Sequence, residues 1–256
     1  MGNNYKRLFT FGCSFTEYYW PTWANIIATD LGIPAQNWGM SGVGNVAIQH
    51  RMVECDLKNT FTEDDLILVL WSSWAREDRL DDTGWNRYGN ILNSEYHGEK
   101  FIAKFWSEEN DTVKNATAII AANKMFNIQY QAHWVDYQIS LDDYDQVAPS
   151  SPFHLQYLMD ALPTKNMMKC TNSKWNKLVD DHHPCVLAHL KYAEQISNEI
   201  GTKLNTSTID LYTDAHNHVT SVIEDSKEKC KIEDIPRHFE EYFSEQRLLN
   251  NKTRNK

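Results

Sequence analysis

The stretch Asp65-Leu66-Ile67-Leu68-Val69-Leu70-Trp71 constrains this chain more than any other. Its apolar residues run without alternation, so a strand made from them has two faces to hide. Such a strand belongs inside a sheet covered by helices on both sides. The chain has the material for that core: 256 residues, 41% apolar and 12% aromatic, with ten Gly and seven Pro. That balance excludes collagen-like, low-complexity and wholly disordered readings.

The neighbouring segments supply the elements that a buried strand needs. Residues 6–12 form a short β-prone run that stops at Gly12, which predicts a first strand. Pro21, then Trp23, Ile26, Ile27 and Leu31 at helical spacing, then Gly32, give a helix its start, buried face and stop. Ala35-Gln36-Asn37-Trp38 reads as a second strand leading into Gly39-Met40-Ser41-Gly42-Val43-Gly44. Val46, Val53 and Leu57 mark a second helix that ends before Asn59-Thr60. Strands alternating with helices predict an α/β fold with a mainly parallel sheet. The pattern loosens over residues 77–106. A helix capped by Ser107 is expected over 107–125, a fourth strand over 126–134, and an insertion or lid over 135–175. Val186, Leu190, Ala193, Ile196 and Ile200 share a helical face between Pro184 and Gly201. Residues 208–212 read as a last strand before a charged tail. The expected organisation is one α/β domain over 1–213, with an insertion or lid at about 77–175, and a charged C-terminal helical extension or tail over 214–256.

Charge narrows the partners. Twenty-five basic against thirty-five acidic residues leave a net charge of −10, which repels phosphate backbones, and no basic patch compensates. No nucleic-acid partner is expected. No apolar run approaches the roughly 18 residues that cross a bilayer, and the first residues lack a basic stretch followed by an apolar core. The expectation is a soluble, cytoplasmic chain whose mature form begins at Met1. Cys13, Cys55, Cys170, Cys185 and Cys230 are odd in number, widely spaced and without a C-x-x-C pair, which fits reduced thiols.

In an open parallel sheet, ligands bind beyond the carboxyl ends of the strands. The first strand ends in Gly12-Cys13-Ser14-Phe15-Thr16, where a serine near a helix N-terminus meets free backbone N–H groups; the plainer role for such a serine is an N-cap. Gly42 permits close backbone approach to a ligand, or simply makes a turn. The third strand ends in Trp71-Ser72-Ser73-Trp74-Ala75-Arg76. Its tryptophans suit substrate contact or packing over the sheet, and Arg76 suits a substrate carboxylate or phosphate, or a structural ion pair. Asp180-Asp181-His182-His183-Pro184 precedes a helix and offers an imidazole with a carboxylate to hold its tautomer. It also admits a solvated acidic loop. A third reading is a metal site built from Asp180 or Asp181 with His182, His183 and His189, which needs a further ligand from elsewhere and has no H-E-x-x-H pair to supply one.

Taken together these segments resemble the SGNH hydrolases, the group that includes the GDSL esterases and lipases. Gly12-Cys13-Ser14 stands where that family has Gly-Asp-Ser, Ser41-Gly42 matches its oxyanion glycine block, and Asp180-x-x-His183-Pro184 matches its Asp-x-x-His block. The resemblance implies a three-layer α/β/α, flavodoxin-like sandwich and a serine esterase. Ser14 would be the nucleophile, His183 the general base and Asp180 the residue that orients it. Ser14, Gly42 and Ser73 would form the oxyanion hole, and Trp71, Trp74 and Arg76 would line the substrate. No metal and no organic cofactor is implied. Two positions depart from the family pattern. Cys13 replaces Asp, and Ser73 stands in the place of the Asn whose side chain completes the oxyanion hole. One lost donor of that kind costs about 2.7–4 kcal/mol of transition-state stabilisation. A G-x-S-x-G elbow is absent, so an α/β-hydrolase is not indicated.

The expected reaction is hydrolysis of a carboxylic ester, either a lipid acyl ester or a carbohydrate O-acetyl ester. The aromatic stretch 85–106 and the segment 135–175 are expected to shape its pocket. The rival readings are a non-catalytic module of the same fold that binds a glycan or protein, favoured by the missing Asn, and a metal-dependent hydrolase at the Asp/His cluster.

Overall fold

Four strands and the helices between them carry the architecture. The computed structural model describes residues 5–91, 97–129, 133–138, 156–162, 178–179, 181, 183–225 and 230–254. The chain divides into two compact units, one of Met1–Glu17 with Gly32–Lys169 and one of Tyr18–Leu31 with Cys170–Lys256.

The first unit holds the sheet. Its elements are β1 (Arg7–Gly12), β2 (Ala35–Asn37), α2 (Asn45–Asn59), β3 (Asp65–Trp71), a two-stranded ribbon β4 (Leu80–Asp81) and β5 (Gly84–Trp85), α3 (Glu99–Phe105), α4 (Glu108–Gln129), β6 (His133–Gln138) and α5 (Gln156–Met159). Strands β2, β1, β3 and β6 lie in that order and every pairing is parallel. Each residue of β3 is buried, as its unbroken apolar run requires. On one face of β1, Phe9 and Phe11 meet the Phe61 ring edge-on at 5.0 and 6.4 Å, and Phe61 meets Phe126 of α4 at 6.0 Å. Helices α2 and α4 pack on each other and form this layer. Leu8 and Thr10, on the opposite face of β1, are buried as well. A parallel sheet hidden on both sides and flanked by helices is the α/β/α sandwich expected from the sequence. At its amino edge the buried Asp65 receives both Arg7 Nε and Nη2 at 2.7 Å, a bidentate pair that compensates the carboxylate's loss of water.

The second unit is helical: α1 (Trp23–Leu31), α6 (Val186–Glu199), α7 (Thr206–Asp225), a 3₁₀ turn (Ile232–Asp234) and α8 (Ile235–Arg254). Helix α1 packs on α6, where Trp23 meets Tyr192 edge-on at 5.7 Å. It also meets α7, where the Tyr212 hydroxyl lies 2.7 Å from Thr29 Oγ1 and donates to the Asn25 carbonyl at 3.1 Å.

Two expected strands are corrected. Residues 126–129 belong to α4, because Phe126 continues the buried face of Thr112, Asn115, Ile119 and Ala122 at helical spacing; the fourth strand is His133–Gln138. Residues 208–212 lie inside α7, whose buried Thr208, Tyr212, Ala215, Val219 and Ile223 recur every three or four residues. In both places a short β-prone run yields to the longer helical period around it. Helix α7 spans the expected boundary between residues 213 and 214. Of residues 135–175, only 135–138, in β6, and 156–162 are among the described residues.

Candidate functional site

At the carboxyl edge of the sheet the exits of β1 and β2 are tied together. Trp38 N–H donates to the Thr10 carbonyl at 2.8 Å, and Met40 N–H to the Gly12 carbonyl at 3.0 Å. The chain then turns sharply: the Cys13 carbonyl accepts from Thr16 N at 2.9 Å and Glu17 N at 3.1 Å. Gly12 makes this possible, since a Cβ there would stand 2.1 Å from Thr16 Oγ1. Asn37 clamps the turn, accepting from Gly39 N–H at 2.9 Å and donating to the Thr16 carbonyl at 2.8 Å. Ser41 Oγ donates to the Glu17 carbonyl at 2.9 Å.

Ser14 sits in this turn, 5% exposed, its Oγ 3.9 Å from Cys13 Sγ. It does not stand at a helix N-terminus as the sequence suggested, because α1 begins only at Trp23. Cys13 is completely buried. Gly42 has φ +84°, and a Cβ there would meet the Arg87 carbonyl oxygen at 2.3 Å. Its own carbonyl accepts from Gly89 N–H at 3.1 Å, and its N–H has no acceptor among the described residues.

The parallel register pairs Gly12 with Leu70, so the β3 exit leaves the sheet beside the Ser14 turn. Two buried asparagines hold that exit. Asn45 Oδ1 accepts from Ser72 N–H at 2.7 Å, and its Nδ2 donates to the Ser72 carbonyl at 3.2 Å and to Asn115 Oδ1 at 2.9 Å. Asn115 Nδ2 donates to the Trp74 carbonyl at 3.0 Å and to the Asp111 carbonyl at 2.7 Å. Each amide has both hydrogens engaged, so neither replaces the absent oxyanion asparagine. Ser73 is half-buried, and its hydroxyl has no partner among the described residues. Trp71 has no exposed surface and is a core residue, contrary to its expected place at the substrate; Trp74 is also buried. Arg76 makes no ion pair among the described residues, and its buried Nε lacks an acceptor. Nearby, Asp78 accepts from Gly44 N–H at 2.6 Å and Ala47 N–H at 3.0 Å, closing the start of α2; burial pushes its carboxyl above the usual range.

Asn45→Ala strips buried partners from both backbone groups of Ser72 and from the Asn115 amide. Unsatisfied buried groups cost about 1–3 kcal/mol each, so a net loss of about 2–4 kcal/mol is expected, read as a lower urea midpoint at unchanged slope.

The imidazole lies in the second unit. His183 Nδ1 is 2.9 Å from Asp181 Oδ1, which also accepts the His183 backbone N–H at 2.7 Å. Asp181 Oδ2 accepts the Tyr18 hydroxyl at 2.7 Å. Asp180 and His182 lie outside the described residues, so the carboxylate seen on the imidazole is Asp181, one residue after the position that the family spacing indicates. Burial alone would push the Asp181 carboxyl up, but hydrogen bonds from His183 and Tyr18 outweigh it and hold the group below the usual carboxylate range. His189 is a different kind of histidine: completely buried, its imidazole is pushed down to about 3 and stays neutral. No group of three or more His, Cys, Asp or Glu side chains among the described residues is placed to hold a metal ion.

The second unit also carries a groove of about 600 Å³, lined by Tyr18, Tyr19, Trp20, Tyr212, Phe239 and Phe243 with Glu240 and Gln246 among its polar groups. Sequence reasoning did not identify Tyr18, Asn45 or Asn115. A buried-face polar residue next to a glycine turn was the available signal for Asn45, whereas nothing local marked Tyr18.

No family model matches the chain, and no curated protein matches it. Among solved structures it is similar to the acetyl xylan esterase Est2A from the rumen bacterium Butyrivibrio proteoclasticus, at 13% identity and TM-score 0.39 over 77% of this chain and 64% of that one. It is also similar to the YxiM protein of Bacillus subtilis, at 11% identity and TM-score 0.30 over 94% of this chain and 57% of that one. The chain therefore spans less than two thirds of either protein's length. Both likenesses are too loose to bear on its chemistry. No helix among the described residues is long and apolar enough to cross a membrane.

Proposed function

We propose that the chain is a serine ester hydrolase of the SGNH type, with Ser14 as nucleophile, His183 as general base and Asp181 as the carboxylate that orients it. The observation that carries this reading is the 2.9 Å contact of His183 Nδ1 with Asp181, which fixes the tautomer a general base needs. In the cycle, Ser14 Oγ bonds to the ester carbonyl carbon as His183 Nε2 takes its proton. The C–O bond to the alcohol then breaks, and the same proton passes to the leaving oxygen. Water repeats the two steps on the acyl-enzyme and frees the acid. The backbone N–H groups of Ser14 and Gly42, joined by the Ser73 hydroxyl, face the oxyanion. Arg76, which has no carboxylate partner among the described residues, is assigned to a polar group of the substrate, together with Trp74. The substrate is a small carboxylic ester, a lipid acyl ester or a carbohydrate O-acetyl ester.

The test is hydrolysis of p-nitrophenyl acetate and longer acyl homologues by the purified chain, with and without chelator. Turnover unaffected by chelator is expected. A folded chain with no turnover on any acyl length would overturn the reading in favour of a non-catalytic binding module. Ser73→Ala should lower kcat about 10²-fold with little change in KM, the effect of one missing oxyanion donor.

A further inference from the structure

We propose that Tyr18 is a positioning residue for the general base, holding Asp181 by its hydroxyl and His183 by its ring. This rests on the reading of His183 given above.

A carboxylate on one rotatable bond can turn its two oxygens freely, and an imidazole hydrogen-bonded through one nitrogen can still swing about that bond. Asp181 and His183 have each lost that freedom. Oδ1 of Asp181 takes two donors from His183, the ring Nδ1 and the backbone N–H, at 2.9 and 2.7 Å. Oδ2 takes the Tyr18 hydroxyl at 2.7 Å, so both oxygens of the carboxylate are engaged. The Tyr18 ring lies on the imidazole with centroids 3.9 Å apart and planes 24° from parallel, which opposes any swing of His183. Tyr18 is itself braced. Trp20 meets its ring edge-on at 4.6 Å, and the Trp20 indole N–H donates to the Pro184 carbonyl at 2.8 Å. Tyr18 and Trp20 therefore hold Asp181 and Pro184 within one unit, although about 160 residues separate them in sequence.

The chemistry of each partner suits this role. Burial, then the adjacent Asp181 carboxylate, push the Tyr18 hydroxyl above its usual range, so it remains a donor. The groups acting on Tyr18 include Asp181 and Tyr19, those on Asp181 include His183 and Tyr18, and the neutral His189 lies within electrostatic reach of His183. A hydroxyl aimed at one carboxylate oxygen also tempers how strongly that carboxylate holds the imidazolium. Without it, Asp181 keeps more of its charge density for His183.

The test compares wild type with Tyr18→Phe, which keeps the ring and removes only the hydroxyl. The His183 ring is titrated by ¹H–¹³C NMR in a Ser14→Ala background, so that the measurement needs no turnover. The expected result is a rise of about 0.5–1 unit in the His183 midpoint. In the Ser14 enzyme a drop of about tenfold in kcat at unchanged KM is expected. Tyr18→Leu, which also loses the stack, should lower kcat further. A His183 midpoint unchanged by Tyr18→Phe would overturn the proposal, even if the variant were less stable. A shifted midpoint in a chain without esterase turnover would uphold the positioning role and overturn the hydrolase reading, so the two failures are distinguishable.

Discussion

Replacing Ser14 by alanine is expected to abolish turnover while leaving the fold intact. In a site where nucleophile and base act as a unit, losing either removes about 10⁶ in kcat, and losing both removes little more. Ser14→Ala, His183→Ala and the double variant should therefore fall to a similar residual rate. The turn around Ser14 is built by the Cys13 carbonyl, Gly12 and the Asn37 clamp, none of which involves the serine hydroxyl. Circular dichroism and the urea midpoint should be close to wild type, and steady-state hydrolysis of an aryl acetate reads the effect.

The second large effect separates two adjacent aspartates. Asp181→Asn should lower kcat about 10⁴-fold, the scale seen when a triad carboxylate becomes an amide and the imidazole adopts the wrong tautomer. Asp180→Asn should stay within a few-fold of wild type. The reverse ranking would return the role to Asp180, where the family spacing puts it. A pH measurement gives an independent check. The folded-state carboxyl of Asp181 lies below its ordinary value, so the stability it contributes is fully present above the unfolded value of about 4 and is lost as pH falls through the lower folded value. The difference in melting temperature between wild type and Asp181→Asn should accordingly be constant near neutrality and shrink in acid.

Legibility in the sequence follows the range of the interactions involved. Strands β1 and β3 and helix α1 were readable because their patterns are local: an apolar run, a terminating glycine, a proline at one end and a glycine at the other. Gly42 was readable as a special position for the same reason, although its neighbour, the Arg87 backbone, was not. The errors at 126–129 and 208–212 arose where a few β-prone residues lie within a longer helical face, and burial of that face decides the outcome. His183 was legible as a histidine with acidic neighbours, and the family spacing pointed to Asp180 among them. The contact with Asp181, one oxygen of which takes both the backbone N–H and the ring of His183, depends on local geometry that spacing does not encode. Tyr18 and the Asn45–Asn115 pair act across long sequence separations, and no local pattern announces such partners. Trp71 shows the converse: an indole at a strand end invites a substrate role until full burial assigns it to the core.

The most direct test of the serine chemistry is covalent labelling of the folded wild-type chain with a fluorophosphonate, with the adduct located by peptide mass spectrometry. A stoichiometric adduct on Ser14 is expected, its formation slowed by orders of magnitude in His183→Ala and less in Asp181→Asn. An adduct on any other residue, or none on folded protein, would contradict it.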